Sequence, residues 1–136
     1  MIWTIRVALP SDEDEWFADI ELDTSTTLQQ LLFAIQRAVE FGNDHLYAFF
    51  IANNERSRVR DEFDDENERL YTTQIGDLFP LPAKKKCFYL FDYGDNWIFR
   101  ISKTRKAAQE PEDGVVYPRV VAEGGIEPDQ YAPWEE

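Results

Sequence analysis

The chain has 136 residues, 43% of them hydrophobic and 15% aromatic, with 30% charged and a formal net charge of −13. A chain of this length and apolar content buries a core without a metal or disulfide, and its anionic field repels phosphate backbones and attracts basic groups, so direct nucleic-acid binding is not expected and a protein partner is, a basic surface on that partner being one option beside an acidic surface that only maintains solubility. One cysteine, Cys87, leaves no internal disulfide, no apolar run approaches the roughly 18 residues that cross a bilayer, and residues 1–6 lack a charged start followed by an apolar stretch, so secretion and membrane insertion are not expected and the cytoplasm is the predicted compartment.

Trp3, Ile5, Val7 and Leu9 alternate with Thr4, Arg6 and Ala8, the period of a half-buried strand ending at Pro10. Residues 11–15 are polar and make a turn, after which Trp16, Ala18, Ile20 and Leu22 alternate as an antiparallel partner strand. Residues 23–27 offer capping oxygens, and Leu28, Leu31, Leu32, Ile35 and Val39 form the apolar stripe of a helix over 26–40, closed by Gly42 and Asn43. That stripe is expected to face Trp3, Ile5, Trp16, Ile20 and Phe49 in one core.

Residues 45–52 are apolar nearly throughout, the mark of a strand covered on both faces and crossing the middle of a sheet. Residues 53–70 are polar and read as an excursion or an irregular edge strand, and 72–79 as a capped helical turn stopped by Pro80 and Pro82. The aromatic-rich runs 84–91 and 96–102 flank Asp92, Gly94, Asp95 and Asn96 as a hairpin with an acidic turn. Beyond 107 the chain turns Pro-, Gly- and acid-rich, with 115–121 apolar enough for a last strand or strapped tail. No internal repeat or second domain is visible, so a core at 1–107 and an acidic tail at 108–136 that docks on it are expected.

The order strand, strand, helix, strand, loop with a short helix, hairpin predicts an α+β fold like the ubiquitin-like β-grasp: a mixed sheet with one long helix packed across it, a C-terminal hairpin and an acidic tail. One helix on an antiparallel sheet is the competing arrangement, because pairing order is not written in one sequence.

Several segments together resemble a known family, the plasmid pRiA4b ORF-three-like proteins, often labelled passengers of bacterial and archaeal transposable elements. They are an opening strand, Thr27 and Leu28 with Ala34-Ile35-Gln36 in the helix, Asp44-His45-Leu46-Tyr47-Ala48-Phe49 after it, and Phe91-Asp92-Tyr93-Gly94-Asp95-Asn96-Trp97. The resemblance covers roughly residues 2–131. It implies a compact β-grasp-like domain without a settled mechanism, with His45, Tyr47, Asp92, Gly94, Asp95 and Trp97 as the family-motif residues. Phe99 stands where members commonly carry a histidine, and the stretch 123–131 lacks their cysteine.

His45, Asp92 and Asp95 are the set closest to a catalytic or metal-binding group. No second histidine or thiolate lies at metal spacing, and both aspartates suit a turn, so the residues point to no catalytic group, metal or cofactor. Carboxylates are segregated: 21 of 27 lie in 12–23, 61–68 and 110–136. Asp12, Glu13, Asp14, Glu15, Asp61, Glu62, Asp64 and Asp65 are the candidate acidic interaction surface. The reading is a non-enzymatic protein-interaction module using a sheet edge, that surface or both. Two alternatives are an acidic nucleic-acid mimic that blocks a basic groove, and an enzyme using His45 with Asp92 or Asp95.

Overall fold

The computed structural model describes residues 1–9, 15–39, 46–64, 66–92 and 97–125, with Val39, Leu46, Tyr47, Phe91, Asp92 and Trp97 described by their backbone. The elements follow as β1 (Ile2–Leu9), β2 (Trp16–Asp23), α1 (Leu28–Val39), β3 (Leu46–Ala52), β4 (Asp61–Phe63), α2 (Arg69–Thr72), α3 (Ile75–Leu78), β5 (Lys86–Asp92), β6 (Trp97–Lys103) and β7 (Arg119–Gly124). The strands form one seven-stranded sheet in the order β4-β3-β5-β6-β1-β2-β7.

Every pairing in the sheet is antiparallel, so the mixed, β-grasp-like sheet expected from the element order is not formed. The cause lies in β6. β1 and β5 run in the same direction and would pair in parallel if they met, but β6 lies between them and is antiparallel to both. β3 is likewise displaced from the expected centre. It lies between β5 and the three-residue edge strand β4, and its continuous apolarity arises because both faces are covered: Phe49 enters the main core, while Phe50 stacks on Phe88 at 5.1 Å and lies under the Arg60 guanidinium at 3.9 Å.

One face of the sheet carries α1. Its start is a reciprocal capping pair, in which the Thr27 amide donates to Gln30 Oε1 at 3.0 Å and the Gln30 amide donates to Thr27 Oγ1 at 3.2 Å. The stripe Leu28, Leu31, Leu32 and Ile35 is fully buried against Ile5, Trp16, Ile20, Phe49 and Phe99, and Trp3 packs at the rim of the same cluster. The short helices α2 and α3 close one side of this core with Leu70, Ile75 and Leu78. Tyr89 joins Phe49 (5.0 Å between ring centres) to Phe99 (5.9 Å), and its hydroxyl accepts from Gln36 Nε2 at 3.1 Å, which satisfies a buried amide.

The buried stripe of α1 sets the first expectation. Leu32→Ala leaves a cavity in the centre of this core and lowers the unfolding free energy by about 2–5 kcal/mol, measured by denaturant titration. A loss below about 1 kcal/mol contradicts the packing described.

Candidate functional site

The backbone brings the motif-bearing strand ends together. Leu46 pairs with Asp92, Tyr47 with Phe91, and Phe91 with Trp97, so Tyr47, Asp92 and Trp97 stand at one end of β3, β5 and β6. Leu9, Trp16 and Gly124 mark the same end of β1, β2 and β7. His45, Gly94 and Asp95 lie outside the described residues, as do Asp12, Glu13, Asp14 and Asp65. Among the described residues no group of three or more His, Cys, Asp or Glu side chains could hold a metal ion. Phe99 is a buried core ring, and Cys87 is a buried thiol that desolvation pushes up to about 12, so it stays protonated at neutral pH.

The described members of the acidic set are largely engaged within the fold. Asp61 accepts from both terminal nitrogens of Arg69, which hold its carboxyl below the ordinary value. Asp64 caps the amides of Glu66 and Asn67 at 3.0 Å, and Glu15 accepts from Arg100 at 2.9 Å. Glu62 is exposed.

The sheet face opposite α1 carries a charge array that sequence reasoning missed. Arg6 donates from Nε and Nη2 to the two oxygens of Asp19 at 2.7 and 3.0 Å, and its guanidinium lies over the Phe17 ring at 4.1 Å. Glu21 is only 5% exposed. One of its oxygens accepts from Arg119 Nε at 2.8 Å and the other from Lys106 Nζ at 3.3 Å. Arg119 also reaches Glu112 at 3.3 Å. The bond from Arg119 is the main cause that holds the Glu21 carboxyl below its ordinary value; burial opposes it and Lys106 adds to it. Beside these pairs runs an open groove of about 500 Å³ lined by Thr4, Arg6, Asp19, Ser102, Thr104, Lys106 and Val121. The alternation of β2 marks Asp19 and Glu21 as facing away from the core, but Lys106 and Arg119 stand 85 and 98 residues further along the chain, and no local pattern announces them.

The C-terminal edge of the sheet is the most open part of this region. No side chain of β7 is buried, and Val120, Val121 and the preceding Val116 are 39%, 43% and 82% exposed. Between β7 and α1 lies a second groove, of about 610 Å³, with Ala34, Ala38, Val116, Pro118 and Val120 as apolar walls and Arg37 and Glu123 as charged ones. Matched acids and bases on the opposite face fix strands to one another, while the β7 edge presents apolar side chains and main chain outward.

The fold and this edge define a small α+β domain built on an open antiparallel sheet. The chain belongs to the family described as plasmid pRiA4b ORF-3-like protein, whose model matches residues 1–130. Among solved structures it is similar to the crystal structure of protein of unknown function MM3350 from Methanosarcina mazei Go1, with a TM-score of 0.73 and 21% identity over 90% of this chain and 68% of that one. That likeness is one of fold. No curated protein matches.

Glu21, Asp23 and Asp61 all have carboxyl groups lowered in the folded state. Their contribution to stability is therefore present above the ordinary carboxylate values and is lost as pH falls through the lowered ones. In a carboxyl-detected NMR titration Glu21 is expected to titrate below the ordinary glutamate value, and Arg119→Gln to move it upward. An unchanged titration in that variant contradicts the pairing.

Proposed function

We propose that the protein is a non-enzymatic protein-interaction module, acting in the cytoplasm and linked through its family to plasmids and other mobile elements, and that its partner adds an extended segment along β7. The observation that carries this reading is the β7 edge. It is a six-residue strand paired with β2 on one side, at the end of the sheet, with Val120 and Val121 exposed. Main-chain groups at such an edge give affinity to an added strand, and its alternating side chains give selectivity. The opposite edge is poorly suited: β4 has three residues, two of them the acids Asp61 and Glu62. The net charge of −13 favours a basic partner segment and steers its approach. The engagement of Glu15, Asp61 and Asp64 within the fold supports the edge over the acidic surface, and over a nucleic-acid mimic, as the place of contact.

A photo-crosslinking amino acid placed in turn at Val121, Glu62 and Val59, in the host cell, tests this. Val59 is 80% exposed and lies in the segment between β3 and β4, two strands at the end of the sheet away from β7. The expected result is one dominant protein adduct from position 121. Adducts from position 62 or 59 alone, or from none of the three, overturn the reading.

A further inference from the structure

We propose that Glu21 is a latch that holds β7 and the chain segment leading into it on the sheet, and so regulates the edge assigned above to a partner; only this last consequence rests on that assignment. β7 contributes no buried side chain, so the apolar packing that seats β1, β2 and α1 does not seat this strand. Its pairing with β2 is also broken by a register shift between Asp19 and Ile20. Before it, residues 105–114 are all exposed.

Among the described residues, few attachments tie the approach to β7 to the rest of the molecule. The Thr104 amide and hydroxyl both donate to the Thr4 carbonyl at 3.0 Å, and Ile2 and Gln109 exchange main-chain bonds of 2.6 and 3.0 Å. Glu21 supplies the charged attachment. It binds Lys106 where the chain leaves β6 and Arg119 where it enters β7, so one carboxylate clamps both ends of the crossing segment. Glu112 and Tyr117 close that segment on itself, through Arg119 and through the Glu112 amide, which donates to the Tyr117 hydroxyl. Two carboxylates on the same strand are already matched, Asp19 by Arg6 and Asp23 by the N-terminal amine at 3.7 Å. The far end of β7 is seated differently. Gly125 has φ +82° and approaches the Glu15 carbonyl so closely that a Cβ would come within 2.1 Å of it. Release of Glu21 therefore frees the strand from its Arg119 end, with Gly125 as the fixed point, and widens the groove walled by Val116, Pro118 and Val120.

Amide hydrogen exchange of the full chain at neutral pH tests the latch with wild type, Glu21→Gln, the double variant Lys106→Gln/Arg119→Gln, and Asp19→Asn. Loss of charge-assisted bonds to a buried carboxylate is expected to speed exchange of the hydrogen-bonded amides within residues 104–121 by about tenfold or more in the first two variants. β3 and β5 remain at wild-type rates, and Asp19→Asn, which breaks the neighbouring Arg6 pair, leaves 104–121 unchanged. The proposal is overturned if Glu21→Gln leaves 104–121 at wild-type rates, if all strands accelerate together, or if Asp19→Asn does the same as Glu21→Gln. The exchange result stands apart from the partner reading: faster exchange with no adduct from position 121 leaves the latch in place and removes the partner edge, and the reverse outcome removes the latch alone.

Discussion

The pairing of β1 with β6 is the constraint on which the rest of the molecule depends. Each belongs to a local hairpin, β1 with β2 and β6 with β5, and hairpins of this kind are marginal alone. Four registered pairs join them, Ile5 with Lys103, Arg6 with Ser102, Val7 with Ile101 and Ala8 with Arg100. Ile5, Val7 and Ile101 are almost wholly buried there, and the junction brings Trp16 of one hairpin edge-on to Phe99 of the other at 6.0 Å. α1 then has one continuous floor to cover. With β1 enclosed between β2 and β6, the free side of β2 is the place where the returning chain adds β7.

The two faces of that sheet do different work. Under α1, side chains interlock as an apolar core. On the other face Arg6, Asp19, Glu21, Lys106 and Arg119 form a matched charge array beside a small apolar cluster of Phe50, Ala52 and Phe88. A buried carboxylate with two hydrogen-bonded cations is costly to assemble and more costly to break, because removing one partner leaves charge without its match. The array therefore specifies where the C-terminal segment lies more than it adds to global stability.

Much of the frame was legible because it is written locally. The alternation of Trp16, Ala18, Ile20 and Leu22 places these four residues in the core, the spacing of Leu28, Leu31, Leu32 and Ile35 gives the buried stripe, and the capping oxygens of residues 23–27 include the one used, Thr27 Oγ1, although its reciprocal partner Gln30 was not read. What was not legible depends on distant pairing. The mixed sheet was inferred from element order, which does not say that β6 separates β1 from β5. β3 was set in the middle of the sheet because apolarity reports cover on both faces and not position in the strand order. A last strand or a strapped tail was expected at 115–121, and a strand forms at Arg119–Gly124, since Val116 belongs to the exposed crossing segment. Glu21 read as one acid in an acidic run; its role appears only when Lys106 and Arg119 arrive from the other end of the chain.

The antiparallel junction is the claim to test most directly, since the position of the β7 edge follows from it. Hα–Hα nuclear Overhauser contacts in the labelled protein distinguish antiparallel from parallel neighbours, because opposed residues in an antiparallel ladder approach to a Cα separation of about 4.5 Å at alternate pairs. Such contacts are expected between β1 and β6 at alternate members of the four registered pairs from Ile5 with Lys103 to Ala8 with Arg100. A parallel pattern linking β1 to β5, with no Hα–Hα contact between β1 and β6, contradicts the antiparallel junction.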